Sequence, residues 1–363
     1  MNQRLRALLG RITAGAVSLT VLTYFVAIGL ALTLVTSTVL SAQLQGVRIH
    51  FFTGAFLVYP IFTPIPIDLL LLSDGCIIIF IVCFIAAFRA KRGFTASTSR
   101  LREAGRITRE SNWLVAMPLI SSGLLIVVII ATTLLDRIGL PSGVPCDPLP
   151  ACIVSPRAFA LLAYSPLSEE IAFRISPLGL IVALRALMAM VSRPNRYPRI
   201  QLLQVVGLSF FSPEAAKTRA GLQSLEKFGL KKLHWIEWIF ILATSVDFGL
   251  AHVLSPGTSW DPGKAVTAGI SGFALAVVFL TYGAYAAVLL HWFFDFYLEI
   301  FEVGANVLGD PIAIIGGFIA LMIFLVGVLS IAVALVWLVK RILRRSLPTT
   351  YKTPEPGPFP VQA

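Results

Sequence analysis

The sequence predicts an all-α membrane protein, a polytopic bundle of about eight transmembrane helices. Of its 363 residues, 57% are hydrophobic and only 13% are charged, and the mean hydropathy is +0.87. A typical soluble domain carries about 25% charged residues, so this chain has about half the usual share. Long apolar runs separated by short basic segments are typical of a protein that crosses a bilayer several times.

The basic residues do not indicate a nucleic-acid partner, although the net charge is +11. They cluster between apolar runs, most densely in the segment 89–109. That is the pattern of cytoplasmic loops under the positive-inside rule. We therefore expect a lipid bilayer around the chain, a multi-pass location in the cell membrane and no nucleic acid bound.

An N-terminal region, residues 1–135, contains the first three expected spans. Arginines without acids precede the first run, which places its start inside. The segment Ala42–Pro66, after this run, is aromatic and proline-bearing, and we expect an extracytoplasmic loop there. The three runs are each long enough to cross a bilayer: Ile12–Leu40, Ile67–Phe88 and Trp113–Leu135.

A core region, residues 155–305, contains four more expected spans. The last span and a basic anchor follow in residues 306–345, and the proline-rich tail 346–363 is expected to be disordered. Eight spans put both termini in the cytoplasm, where the basic loops also fall. The five remaining runs are Leu167–Val191, Trp235–Leu254, Lys264–Tyr282, Ala284–Phe301 and Pro311–Val339.

The fourth span begins with two acids and an arginine, in the stretch Ser168–Arg174. Each such residue costs about 3 kcal/mol at a helix centre, so ionisable residues inside a span indicate function. Glu170 and Arg174 are four residues apart and are expected to pair. Glu169 points elsewhere, and a buried carboxylate without a counter-charge suits a general base. The alternative is a polar helix start, with both acids favoured by the helix dipole.

Two later spans each contain a histidine at helical spacing from a second residue. Phe248 and His252 share a face of the fifth span, and His291 and Asp295 share a face of the seventh. Each pair alone is compatible with a structural hydrogen bond. The chain has only four histidines, and two of them lie inside expected spans.

These motifs together resemble a known family. EExxxR at 169–174, FxxxH at 248–252 and HxxxD at 291–295 are similar to the signature of the type II CAAX prenyl endopeptidases. This group is also called the CPBP or Abi family of intramembrane proteases. The resemblance covers roughly Ser155 to Val303. It implies hydrolysis of a peptide bond in a membrane-associated protein or peptide, and prenylated CAAX proteins are the eponymous substrates.

The resemblance also implies roles for individual residues. Glu169 and His252 would activate a water, and His291 would donate to the developing oxyanion. Asp295 departs from the asparagine form of the motif, because an ionised aspartate cannot donate a hydrogen bond and would repel an oxyanion. It must be protonated, orient His291 or bind a metal. The supporting residues of the site are then Glu170, Arg174 and Phe248.

Two questions stay open at the level of the sequence. The four polar site residues also resemble a metal site, but the chain lacks HExxH, so we favour a mechanism without cofactor and keep a divalent metal such as zinc as the alternative. A non-catalytic immunity or scaffold protein and a transporter are the competing classes. The motif glutamates and histidines favour an enzyme over a scaffold, and no repeat or pair of interrupted helices favours a transporter.

Overall fold

The structure is a computed structural model that describes residues 3–56, 59–105, 107, 111–143, 156–192, 199–223, 230, 233–255 and 260–346. Most of the tail 346–363, for which disorder was predicted, lies outside this part of the chain. The helices that begin in the first half of the chain are α1 (Gln3–Thr36), α2 (Thr38–Leu44), α3 (Leu69–Arg89), α4 (Phe94–Ala104), α5 (Trp113–Arg137), α6 (Pro156–Glu170) and α7 (Ser176–Val191). The helices of the second half are α8 (Arg199–Phe211), α9 (Pro213–Arg219), α10 (Trp235–Leu254), α11 (Lys264–Tyr282), α12 (Ala284–Trp292), α13 (Glu299–Leu308) and α14 (Asp310–Ser346).

Two π-helical segments interrupt this series, π1 (Ile171–Ile175) between α6 and α7 and π2 (Phe293–Tyr297) after α12. Seven helical stretches of the described residues are long and apolar enough to cross a membrane. The predicted all-α polytopic bundle is thereby confirmed. The seven stretches are Leu8–Thr36, Leu69–Arg89, Trp113–Arg137, Ala158–Val191, Trp235–Leu254, Lys264–Tyr282 and Asp310–Leu343.

The predicted seventh span, Ala284–Phe301, is not one continuous α-helix, and it is not among the seven stretches that are long and apolar enough to cross a membrane. The stretch is divided into α12, π2 and α13, and neither α-helix alone reaches the roughly 20 residues that a bilayer requires. The helix is interrupted at Leu298, a turn residue that directly follows π2. The π2 segment buries Phe293, Phe296 and Tyr297 together in the core.

A β-hairpin occupies most of the segment for which a loop was predicted. Strand β1 (Arg48–Phe56) pairs antiparallel with β2 (Tyr59–Asp68), with two irregularities in the register. The prolines of this segment all lie on β2, where an edge strand tolerates the missing N–H. Strand β1 packs against α6 and π1, so the hairpin lies beside the helices that carry the first motif.

Asp68 joins the hairpin to α3. Its carboxylate accepts hydrogen bonds from the backbone N–H groups of Gly46, Leu70 and Leu71. These bonds, led by the one from Gly46, favour the ionised form and lower the pKa of Asp68. The residue is therefore both the N-cap of α3 and a tie to the start of the hairpin.

Aromatic side chains from three separate parts of the chain form the centre of the bundle. The Tyr24 ring of α1 lies edge-on to Trp292 at 5.9 Å and to Tyr297 at 5.0 Å between centroids. Phe84 of α3 lies edge-on to Trp292 at 5.3 Å. Such pairs contribute about 0.5–1.5 kcal/mol each beyond their buried area. This packing holds α12 and π2 against the N-terminal helices.

Helices α10 and α11 approach each other closely at glycines. A Cβ atom on Gly249 would overlap the carbonyl oxygen of Ala265, and it would lie 3.1 Å from the nitrogen of Gly269. A Cβ on Gly272 would lie 3.0 Å from both the Arg174 Nη2 and the Phe248 Cδ1 atoms. Small residues are enriched where membrane helices make backbone contact. The glycines thus set the distance at which the site residues of α10 face α11 and π1.

Candidate active site

The structure brings the predicted site residues to one place in the bundle, where α6, π1, α10, α11, α12 and π2 meet. The first motif spans the end of α6 and the start of π1, the second lies in the last two turns of α10, and the third spans α12 and π2. π-helical turns are frequent at functional sites. Here the first motif overlaps π1, and the third motif overlaps π2.

Glu170 and Arg174 form the ion pair that their spacing predicted. The Arg174 Nη1 lies 3.0 Å from the Glu170 Oε1, and both side chains are fully buried. The guanidinium carbon of Arg174 lies 3.9 Å from the centroid of the Phe248 ring, a cation–π contact. The Phe248 ring also lies edge-on to His291 at 5.7 Å. Phe248 thus connects the ion pair to the third motif.

His291 lies among three carboxylates. Its Nδ1 is 2.8 Å from the Glu170 Oε1, and its Nε2 is 3.2 Å from the Asp295 Oδ2 and 3.5 Å from the Glu169 Oε2. Ionised carboxylates only accept, so a ring that faces them at both nitrogens donates from both. The Glu170 Oε1 therefore accepts hydrogen bonds from both Arg174 and His291. Helical spacing predicted the contact with Arg174 but not the one with His291.

Ser165 contacts two of the predicted catalytic carboxylates, and the sequence analysis did not single it out. Its hydroxyl lies 2.7 Å from the Glu169 Oε1 and 3.0 Å from the Asp295 Oδ2. Ser165 stands one helical turn before Glu169, so the i, i+4 spacing was a visible signal for the first contact. Asp295 is 130 residues further along the chain, and nothing local indicated the second.

Glu169 presents one oxygen that has no hydrogen-bond partner among the described residues. Its Oε2 is buried, whereas its Oε1 is held by Ser165. A buried carboxylate oxygen without a partner costs free energy, and such exceptions are frequent at functional sites. The arrangement leaves Oε2 as the oxygen available to a reacting molecule.

His252 is held in one orientation by its own helix. Its Nδ1 lies 2.8 Å from the Phe248 carbonyl oxygen, which can only accept, so Nδ1 carries a proton and Nε2 is left as an acceptor in the neutral ring. The ring interacts electrostatically with Glu169 and Asp295. It makes no direct hydrogen bond to either of them within the described part of the chain.

Lys264 is a second residue that sequence reasoning missed. Its Nζ lies 3.9 Å from the centroid of the Trp260 ring, and the same ring is 6.3 Å from His252. The ammonium group interacts electrostatically with Asp295 and Glu169. A lysine at the start of an apolar run is ordinarily an interfacial anchor, so the sequence contained no signal that it faces the site.

The contacts of the site histidines do not favour the alternative of a bound zinc ion. Within the described residues, no group of three or more His, Cys, Asp and Glu side chains is arranged to hold a metal ion. Both ring nitrogens of His291 already face carboxylates, and the Nδ1 of His252 is turned to a backbone carbonyl. A metal would have to displace these contacts.

Fold and site together define a multi-pass helical membrane protein with a cluster of acids, histidines and buried cations between its helices. Residues 152–297 match the family model of the type II CAAX prenyl endopeptidases, Rce1-like. This match encloses all three motifs and confirms the predicted resemblance to that family. No curated protein and no solved structure matches the chain.

Proposed function

We propose that this protein is an intramembrane endopeptidase of the cell membrane, which hydrolyses a peptide bond of a membrane-associated protein or peptide. Prenylated CAAX-type proteins are the substrate class that the family description suggests. The observation that carries the proposal is the buried Oε2 of Glu169, which makes no hydrogen bond within the described residues and lies near His291 and His252 from other helices.

The proposed reaction begins with a water molecule polarised by Glu169 and His252. The Glu169 Oε2 takes a proton from the water as its oxygen attacks the carbonyl carbon of the substrate. The His291 Nε2–H donates to the oxyanion that forms, and Glu170 holds the other nitrogen of this ring in place. Collapse of the tetrahedral intermediate breaks the C–N bond, and the proton on Glu169 passes to the leaving nitrogen.

The supporting residues keep this geometry without touching the substrate. Arg174 neutralises Glu170, and Phe248 packs against both Arg174 and His291. Asp295 lies on the Nε2 side of His291 and orients the ring. On this proposal the acidic form of the third motif is functional because Asp295 acts on His291 and need not donate to the oxyanion.

Purified protein and membrane proteomics test the proposal. Glu169→Gln keeps the size of the side chain but removes the base, so cleavage of a peptide substrate should fall by about 10²–10⁴-fold while the protein stays folded. In membrane fractions, substrate proteins should accumulate with Glu169→Ala compared with wild type. Glu302→Gln, a change at an exposed glutamate of α13, is the matched control. Full activity of Glu169→Gln would refute the role of Glu169 as the base, and no cleavage product with wild type would favour a non-catalytic scaffold.

A further inference from the structure

The Ser165 hydroxyl lies between two carboxylates that come from distant parts of the chain. Its oxygen is 2.7 Å from Glu169 and 3.0 Å from Asp295. A serine hydroxyl has a single proton to donate. If both carboxylates were ionised, the two contacts would have to divide that single proton between them. Each contact has a proton of its own when one carboxyl group is protonated and donates to the serine oxygen.

From this geometry we infer that Ser165 is a positioning residue that joins Glu169 and Asp295 into one pair sharing a proton. Two carboxyl groups coupled in this way lose their protons in steps that belong to the pair and not to either residue. The inference rests on the proposed function only where activity is measured. On this inference Asp295 has two roles: it orients His291, and it shares a proton with Glu169.

Charged groups of both signs face the pair. Cations on neighbouring elements favour its ionisation, and further acids oppose it. The charged and titratable groups that face the pair are Glu170 and Arg174 of the first motif, His252 on α10, Lys264 on α11, His291 on α12 and Glu299 on α13.

The bridge also decides which oxygen of Glu169 reacts. With the shared proton on Asp295, Asp295 donates to the Ser165 oxygen, Ser165 donates to the Glu169 Oε1, and the Glu169 Oε2 remains as the base. When Oε2 takes the proton of the attacking water, the pair holds one proton more than in the resting state. The pair then gives that proton to the leaving nitrogen, and it ends the cycle with the same number of protons as in the resting state.

Three serine variants test the bridge through activity. Ser165→Ala should lower kcat by about 10- to 100-fold, the effect of losing a hydrogen bond to a charged group, and it should change the pH profile of kcat. Ser165→Thr retains a hydroxyl, so it should keep most of the wild-type kcat and a pH profile close to that of wild type. Ser168→Ala is the matched control, because this serine is buried on the same helix but donates to the Ser165 backbone carbonyl. A Ser165→Ala enzyme with an unchanged pH profile would overturn the inference.

An infrared titration tests the bridge without any substrate. In wild type, the protonated carboxyl group of the pair should give a C=O band that disappears as the pH rises. Glu169→Gln and Asp295→Asn should both change this band, Ser165→Ala should shift its midpoint, and Ser168→Ala should not. A band unaffected by Ser165→Ala refutes the shared proton. Absence of cleavage by wild type would instead count against the proposed function, so the two failures are distinguishable.

Discussion

Glu170 holds two partners with one oxygen atom, and this makes it the residue on which the first motif depends. Arg174 contacts this oxygen from π1 and His291 contacts it from α12, with all three side chains nearly or fully buried. Burial removes the solvent that would otherwise compensate a lost partner. Changes to Arg174 should therefore act on folding, while changes to Glu169 should act on chemistry.

Arg174→Ala tests this division. The substitution leaves the Glu170 carboxylate buried without its arginine, which should lower the free energy of unfolding by about 3–5 kcal/mol. Thermal unfolding and yield in detergent measure the effect, and Arg102→Ala, at an exposed arginine of α4, is the control. The Glu169→Gln protein should have the same unfolding temperature as wild type. Equal losses of activity from both changes, without any loss of stability, would contradict the division.

Asp295→Asn separates the possible roles of the third-motif acid. If Asp295 orients His291 or is protonated, the amide should retain much of the activity, and chelators should have no effect. If it binds a metal, activity and metal affinity should fall together. The first outcome is expected, because Asp295 contacts Ser165 and His291 directly. A purified enzyme that loses activity on chelation and regains it with Zn²⁺ would refute the metal-free mechanism.

At the scale of elements, the contact between α10 and α11 positions the second motif. The two helices meet at Gly249, three residues before His252, and Lys264 starts α11 on the other side of this contact. The helices cannot separate there without moving the histidine. Strand β1 contacts π1, and the segments π1 and π2 carry parts of the first and third motifs.

Gly249→Ala should force the two helices apart, because the added methyl group overlaps the Ala265 carbonyl. Overpacking of this kind costs about 1–3 kcal/mol, and the displaced His252 should lower activity as well. Unfolding temperature and peptide cleavage are the measurements. Gly207→Ala on α8 is the matched control, since a Cβ atom there meets nothing within 4 Å. A Gly249→Ala protein as stable and active as the control would refute this account.

At the scale of the whole molecule, the interrupted stretch from α12 to α13 decides the topology. The seven continuous spans alone would put the termini on opposite sides, and the basic C-terminal end of α14 would then lie outside. That conflicts with the positive-inside rule. If the stretch crosses as the eighth span, both termini lie inside. Glu169 and His252 then fall in the outer half of the bilayer, so a cytoplasmic substrate requires a cavity that opens inward or sideways to lipid.

Reporter fusions test the topology. Fusions after Ala90 and Pro348 should report the cytoplasm, and a fusion after Pro141 should report the outside. Single cysteines at Thr281 and Asp310 should be labelled from opposite sides, because these positions flank the interrupted stretch and neither is buried. An extracytoplasmic signal at Ala90 or Pro348 would contradict the topology, as would labelling of both cysteine positions from the same side.

The amino-acid sequence alone determined the all-α membrane class of the protein. Apolar runs, basic loops and helical spacing are local properties, so they predicted a bundle of about eight spans, seven of which are continuous helices, and the Glu170–Arg174 pair. The resemblance to a family, carried by the motifs in their order, implied that residues 169–174, 248–252 and 291–295 would meet.

Only the tertiary structure decided which groups touch which. The hairpin was missed because a proline-rich aromatic segment carries no clear period, and the interruption at Leu298, after π2, was missed because it lies within a continuous apolar run. Ser165 and Lys264 enter the site through contacts with residues far away along the chain. Sequence spacing predicts neighbours on one helix, whereas the packing of different helices selects the partner of each polar group.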